Sequence, residues 1–128
     1  MTIIYASLDT ETPVALLPVW FDDGALRKDT ISTTDSVLIS QLVGAIENLP
    51  MYKKNVRHID ARGKIVFSFD KGNDWVGYFD RFLLQVNREK IGYKFTMKFR
   101  NALNAIAVEN KKRPVFPKKW MNIRYDDD

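Results

Sequence analysis

Apolar and polar positions alternate along this chain in two distinct rhythms. Between Thr34 and Leu49 the apolar residues Leu38, Ile39, Leu42, Val43, Ile46 and Leu49 recur at three- and four-residue steps. That spacing paints one stripe on a helix. Thr33 or Thr34 caps its start, Asp35 suits the positive end of the helix dipole, and Pro50 stops it. A second stripe, Trp75, Tyr78, Phe79, Phe82, Leu83 and Val86, predicts another helix over Trp75–Arg88, weakened a little by Gly77. The cleanest period-two signal is Tyr93–Arg100. There Tyr93, Phe95, Met97 and Phe99 face one way, and Lys94, Thr96, Lys98 and Arg100 the other, which predicts a strand.

Other strands read from β-branched and aromatic bulk. Thr2–Leu8 is one. Val14–Phe21 is apolar but contains Pro18, which suits an edge or a bulge. Asp23-Gly24 fits a tight hairpin turn, with Ala25–Ile31 returning. Val56–Ile59 and Lys64–Phe69 form a second hairpin around Asp60-Ala61-Arg62-Gly63. Asn101–Glu109 is Ala-rich and reads as a short helix. Residues 111–128 hold Pro114 and Pro117 and lack periodicity. The pattern predicts a single small α+β domain over residues 1–110. It has a mostly antiparallel sheet and two main helices. An extended basic C-terminal arm, 111–128, follows.

Charge changes the picture more than composition does. Residues 1–87 sum to −2, residues 88–125 to +9, and Asp126–Asp128 to −3, which gives the formal +4. A concentrated positive third attracts anionic partners and speeds their encounter. In Lys111-Lys112-Arg113-Pro114-Val115-Phe116-Pro117-Lys118-Lys119-Trp120, cations interleave with aromatics and prolines. The prolines hold such a segment extended, the cations neutralise phosphates, and Phe116 or Trp120 stacks on a base. The competing reading packs Phe116 and Trp120 back onto the domain. Lys94, Lys98 and Arg100 would add a positive platform on the predicted strand, unless they serve only as edge protection. Arg124 extends the same surface. The acidic tip would screen Arg124 and Lys119 or solubilise the end.

Several chemistries fall away. With no cysteine, disulfides, thiolate metal sites and Cys nucleophiles are excluded. His58 is the single histidine, so no second His completes a zinc site. His58 and Asp60 share a strand face, but no motif supplies a nucleophile, and a surface cross-strand pair is the better reading. Ser32-Thr33-Thr34 reads as helix capping, and the scattered glycines build no phosphate-cradling loop. No cofactor and no metal are expected. Met1–Leu8 lacks a basic flank and a long apolar run, so it does not read as a signal peptide. Val14–Phe21 is too short to span a bilayer. The expected setting is cytoplasmic, or within a virus particle or host cell.

The stretch Leu16-Leu17-Pro18-Val19-Trp20-Phe21-Asp22-Asp23-Gly24, with its later Leu-rich helix, resembles a motif of the LAGLIDADG homing endonucleases. The resemblance implies a divalent metal on the acid at Asp23 and phosphodiester cleavage using Asp22 and Asp23. Pro18 falls inside the would-be motif helix. In the stretch around Trp75–Phe82, Phe82 stands where a second motif would need an acid.

The leading expectation is a non-catalytic binding protein. It would be a subunit of a larger assembly that docks its basic third onto an anionic partner, either nucleic acid or an acidic protein face. A viral or phage component fits that description, and a homo-oligomer is compatible with it. The alternatives are an autonomous nucleic-acid-binding module and, behind it, the metal-dependent nuclease.

Overall fold

The structure, a computed structural model, describes residues 1–10, 15–24, 26–56, 59–87 and 89–122. Its frame is a seven-stranded sheet in the order β2-β1-β4-β5-β6-β7-β3, with every pairing antiparallel. The strands are β1 (Thr2–Tyr5), β2 (Asp29–Ser32), β3 (Met51–Lys53), β4 (Gly63–Phe67), β5 (Trp75–Phe79), β6 (Leu83–Val86) and β7 (Gly92–Lys94). Two long helices, α2 (Ser36–Glu47) and α3 (Met97–Glu109), and a one-turn helix, α1 (Pro18–Asp23), complete the fold. The expected class, α+β with a mostly antiparallel sheet and two main helices, is the class observed. Among the described residues no helix is long and apolar enough to cross a membrane.

The period-two rule sorts the strand side chains into two layers. Ile3, Tyr5, Ile65, Phe79 and Leu84 join Leu42 and Ala45 of α2 and Phe99, Leu103 and Ile106 of α3 in the main core. On the opposite face Ile4, Val76 and Tyr78 meet Ala6, Ile59, Ala61 and Phe21 of α1 in a smaller cluster. Burying both faces removes the need for strict alternation in the central strands.

This explains the misread elements. Trp75–Arg88 is not a helix but the β5–β6 hairpin. Its near-continuous apolar run serves two buried faces, and the same residues match a helical period by coincidence. The Asp80 carboxylate accepts from the Phe82 and Leu83 amides, both at 2.6 Å, and turns the chain. Tyr93–Arg100 is not one strand either. β7 ends at Lys94, and the Thr96 hydroxyl accepts from the Phe99 amide at 3.1 Å, which caps α3. The short helix expected at Asn101–Glu109 lies inside α3.

The segment read as an edge strand up to Phe21 is coil followed by α1, with Pro18 at a helix start, where its missing N–H costs nothing. Asp23-Gly24 closes that helix rather than a hairpin. The return strand is Asp29–Ser32, and Val14 and Ala25 lie outside the described residues. β4 pairs with β1 and β5, so Val56 and Ile59 are not its hairpin partners. Arg57 and His58 lie outside the described residues. The α2 cap is Asp35, whose carboxylate accepts from the Val37 and Leu38 amides, not Thr33 or Thr34.

Candidate functional site: the basic strap and the cleft at its end

The extended arm is corrected for residues 111–122, which fold back on the domain as a strap. The chain leaves α3 through Lys111, whose φ is 57°. The Lys111 amide donates to the Val108 carbonyl at 3.0 Å and the Lys112 amide to the Ala107 carbonyl at 2.9 Å. This pair of reversed bonds ends many helices, usually with glycine at the left-handed position. Arg113 then donates from Nε to Asp29 Oδ2 at 2.5 Å, while its carbonyl accepts from the Tyr5 hydroxyl at 2.6 Å.

Phe116 is the anchor. It is 0% exposed and packs on the rings of Phe95, Phe79 and Phe99 at 5.2, 6.0 and 6.2 Å between centroids. The proposed stacking role of Phe116 is therefore overturned, because its ring belongs to the core. The strap ends in a single 3-10 turn, Lys118–Trp120.

That turn meets a cleft built by strand topology. Tyr5, Gly63 and Phe79 lie in one row across β1, β4 and β5. Because the strands are antiparallel, the chain beyond Tyr5, before Gly63 and beyond Phe79 emerges at the same end of the sheet. Asp9, Asp60, Arg62, Arg81 and Phe82 converge there with Lys119 and Trp120 around a cleft of about 500 Å³.

Arg62 forms the back wall and is 1% exposed. Its guanidinium donates to the Thr10 carbonyl from Nε and Nη2 at 3.1 and 2.9 Å. From Nη1 it donates to Asp60 Oδ1 at 2.7 Å and to the Ala61 carbonyl at 3.1 Å. Arg81 donates to the Leu8 and Thr10 carbonyls at 2.6 and 2.7 Å, and its Nη1 stands 3.7 Å from Asp60 Oδ2. At the rim, Asp9 Oδ1 accepts from Lys119 Nζ at 2.8 Å and from the Trp120 indole at 3.0 Å. Those two hydrogen bonds, Lys119 first, hold the Asp9 carboxyl below its ordinary pKa. Phe82 lies edge-to-face with Trp120 at 6.3 Å. The Arg81 guanidinium and the Lys119 ammonium stand 5.7 and 5.2 Å from the Trp120 ring.

The platform expected on Lys94, Lys98 and Arg100 does not form. Lys94 is half-buried on β7, near the Tyr52 ring at 5.8 Å. Lys98 is exposed on α3. Arg100 is only 5% exposed, its guanidinium 5.7 Å from the Phe95 ring. Alternation places three such residues together only if the segment is a strand, and here it crosses from β7 into α3. Lys111, Lys112, Arg113, Lys118 and Lys119 are exposed along the strap, Trp120 is half-buried, and Arg124 lies outside the described residues.

Sequence reasoning missed Asp9, Arg62, Arg81 and Phe82. A usable signal was present in Asp80-Arg81-Phe82, a turn-forming acid between two β-rich runs.

A second polar group lies under α1. Asp22 accepts from the Tyr78 hydroxyl at 2.6 Å and from Lys64 at 3.1 Å. Burial first, then the hydrogen bond to Asp22, pushes the Tyr78 pKa up. Desolvation alone would lower Lys64, but its bonds to Asp22 and Tyr78 outweigh that and raise it. Both groups therefore stay protonated at neutral pH, and the trio tethers α1 to the sheet. Asp22, which the nuclease resemblance would employ, has both oxygens engaged in that tether. Among the described residues no three His, Asp or Glu side chains converge on a point.

No family model matches this chain, and comparison with curated proteins and with solved structures returns no match.

Proposed function

We propose that this chain is a non-catalytic binding protein that docks its basic strap onto a polyanion, with nucleic-acid phosphates as the partner. One observation carries the reading. Among the described residues, the non-glycine positions at positive φ are Asn55, Asn87 and Lys111. Asparagine tolerates that conformation, whereas lysine does so at a cost of about 1 kcal/mol. A cation held at a strained position where glycine would be more stable points to a use for the cation.

The ion pairs agree with this. Every pair among the described residues takes its acid from Asp9, Asp22, Asp29 or Asp60. Lys111, Lys112 and Lys118 are in none of them. Lysines strung along an anchored strap form a track that releases counterions when it meets phosphates. Anchoring through Phe116 lowers the ordering cost of binding.

The test is fluorescence anisotropy with labelled oligonucleotides over a salt series, comparing wild type with Lys111→Gln/Lys112→Gln/Lys118→Gln. The expected result is weaker binding and a log–log salt slope shallower by about 2–3. Identical curves for the two proteins would overturn the reading.

A second reading, a subunit that docks on a protein partner in a larger assembly, draws on Val19 and Trp20, apolar side chains exposed on α1. It expects Trp20→Ser to release a protein partner while leaving oligonucleotide behaviour unchanged.

A further inference from the structure

We infer that the cleft at the end of the strap is a stacking subsite for one unpaired base, so that the protein selects single-stranded over double-stranded nucleic acid. The inference rests on the phosphate-docking reading above and adds the feature that distinguishes the two forms of the ligand.

Phe82 stands at the tip of the β5–β6 hairpin and is 43% exposed, so its ring borders the cleft from the solvent side. It meets Trp120 edge-to-face, so the two rings make a corner and not a closed stack. The cleft volume of about 500 Å³ lies within the range of small-ligand pockets. Its charges are arranged for an anion beside the ring. Asp9 is neutralised by Lys119 and Asp60 by Arg62. Of the described cations lining the cleft, Arg81 alone donates no hydrogen bond to a carboxylate; it pairs at longer range with Asp60 and has Asp80 beside it. Its Nη1, 3.7 Å from Asp60 Oδ2, is beyond hydrogen-bond distance of that oxygen and can donate to a phosphate.

An aromatic corner beside an arginine and a lysine track is what single-strand binding requires, because every unstacked base offers a π-face and a phosphate on either side. In a duplex those faces are covered by neighbouring base pairs. A duplex would therefore reach the lysines of the strap but not the cleft.

The experiment measures anisotropy with a short labelled oligothymidylate and with a duplex of equal length, on wild type, Phe82→Ala, Phe82→Tyr and the triple Lys→Gln protein. Wild type is expected to bind the single strand more tightly. Phe82→Ala should lose about tenfold on the single strand and nothing on the duplex. Phe82→Tyr, which keeps the ring, should stay close to wild type and so separates stacking from damage to the fold. The lysine variant should weaken both probes. If Phe82→Ala binds the single strand as wild type does, or loses equally on both probes, the stacking subsite is wrong while the lysine track stands. If wild type binds neither probe, the docking reading falls and this inference with it.

Discussion

The side-chain amide of Asn104 grips the backbone of Phe116 at both of its polar groups. Asn104 Nδ2 donates to the Phe116 carbonyl at 2.9 Å, and the Phe116 amide donates to Asn104 Oδ1 at 2.8 Å. Phe116 is buried in the core yet belongs to no strand or helix, so its backbone groups need partners from elsewhere. Asn104, on α3, supplies both. Replacing it with alanine leaves two groups unsatisfied at a buried anchor. We expect Asn104→Ala to lower stability by about 2 kcal/mol, measured by denaturant unfolding. Trypsin should also cut the strap lysines faster than in wild type. An unchanged digestion rate would show that Phe116 alone holds the strap.

Gly63 and Phe79 give a second prediction. A Cβ built on Gly63 would stand 1.8 Å from Phe79 Cζ, because the ring lies across the glycine of the neighbouring strand. Phe79 is fully buried and touches Phe116, so it has little room to yield. Gly63→Ala should therefore destabilise by about 1–3 kcal/mol or more, read from the midpoint of thermal or denaturant unfolding. A neutral effect would mean that the ring swings aside and the row Tyr5–Gly63–Phe79 is loosely packed.

The fold is legible where one face of an element is wet, and illegible where burial on both faces or a single cap decides the outcome. The stripe Leu38–Leu42–Ile46 belongs to α2, a helix with one wet face, where periodicity and burial coincide, and Leu49 extends it just past the helix end. In β5 the run Trp75–Phe79 is covered on both sides, so its pattern holds no alternation to read. Thr96 decided the fate of Tyr93–Arg100: a single capping hydroxyl outweighed four alternating pairs. The strap's charge was legible because it is contiguous. The cleft was not, since Asp9, Arg62, Phe82 and Trp120 meet only through the strand order β1-β4-β5-β6 and the return of the strap.

Asp80 makes stability depend on pH. Burial raises its pKa above the ordinary carboxylate value, against the lowering effect of the Phe82 and Leu83 amides. The folded state therefore holds the proton more tightly than the unfolded chain does. Its contribution to stability is present in acid, below the unfolded pKa, and is lost as pH rises through the folded value. Asp80→Asn keeps an oxygen for both amides and removes the buried charge. The variant should match wild type in acid and exceed it at neutral pH. Asp9 runs the other way: its lowered pKa means that the bonds to Lys119 and Trp120 weaken as pH falls. Equal pH profiles for Asp80→Asn and wild type would place Asp80 in contact with solvent.

Lys111 offers the sharpest separation of stability from function. Its left-handed φ of 57° closes α3 with a side chain whose Cβ crowds the following carbonyl. Glycine removes that crowding but makes the unfolded chain more flexible, so Lys111→Gly should gain roughly 0.5–1 kcal/mol net. The same substitution deletes one cation from the strap and should make the salt slope of oligonucleotide binding shallower by about 0.7–0.9. Lys111→Asn, which tolerates the conformation and is uncharged, should show the same pairing of effects with a smaller stability gain. Mutations that merely damage a fold lower stability and binding together. Here the two must move in opposite directions, as read from denaturant midpoints and anisotropy titrations on the same preparations. If Lys111→Gly binds with the wild-type salt slope, the strained cation serves no phosphate contact, and the principal support for the docking surface is gone.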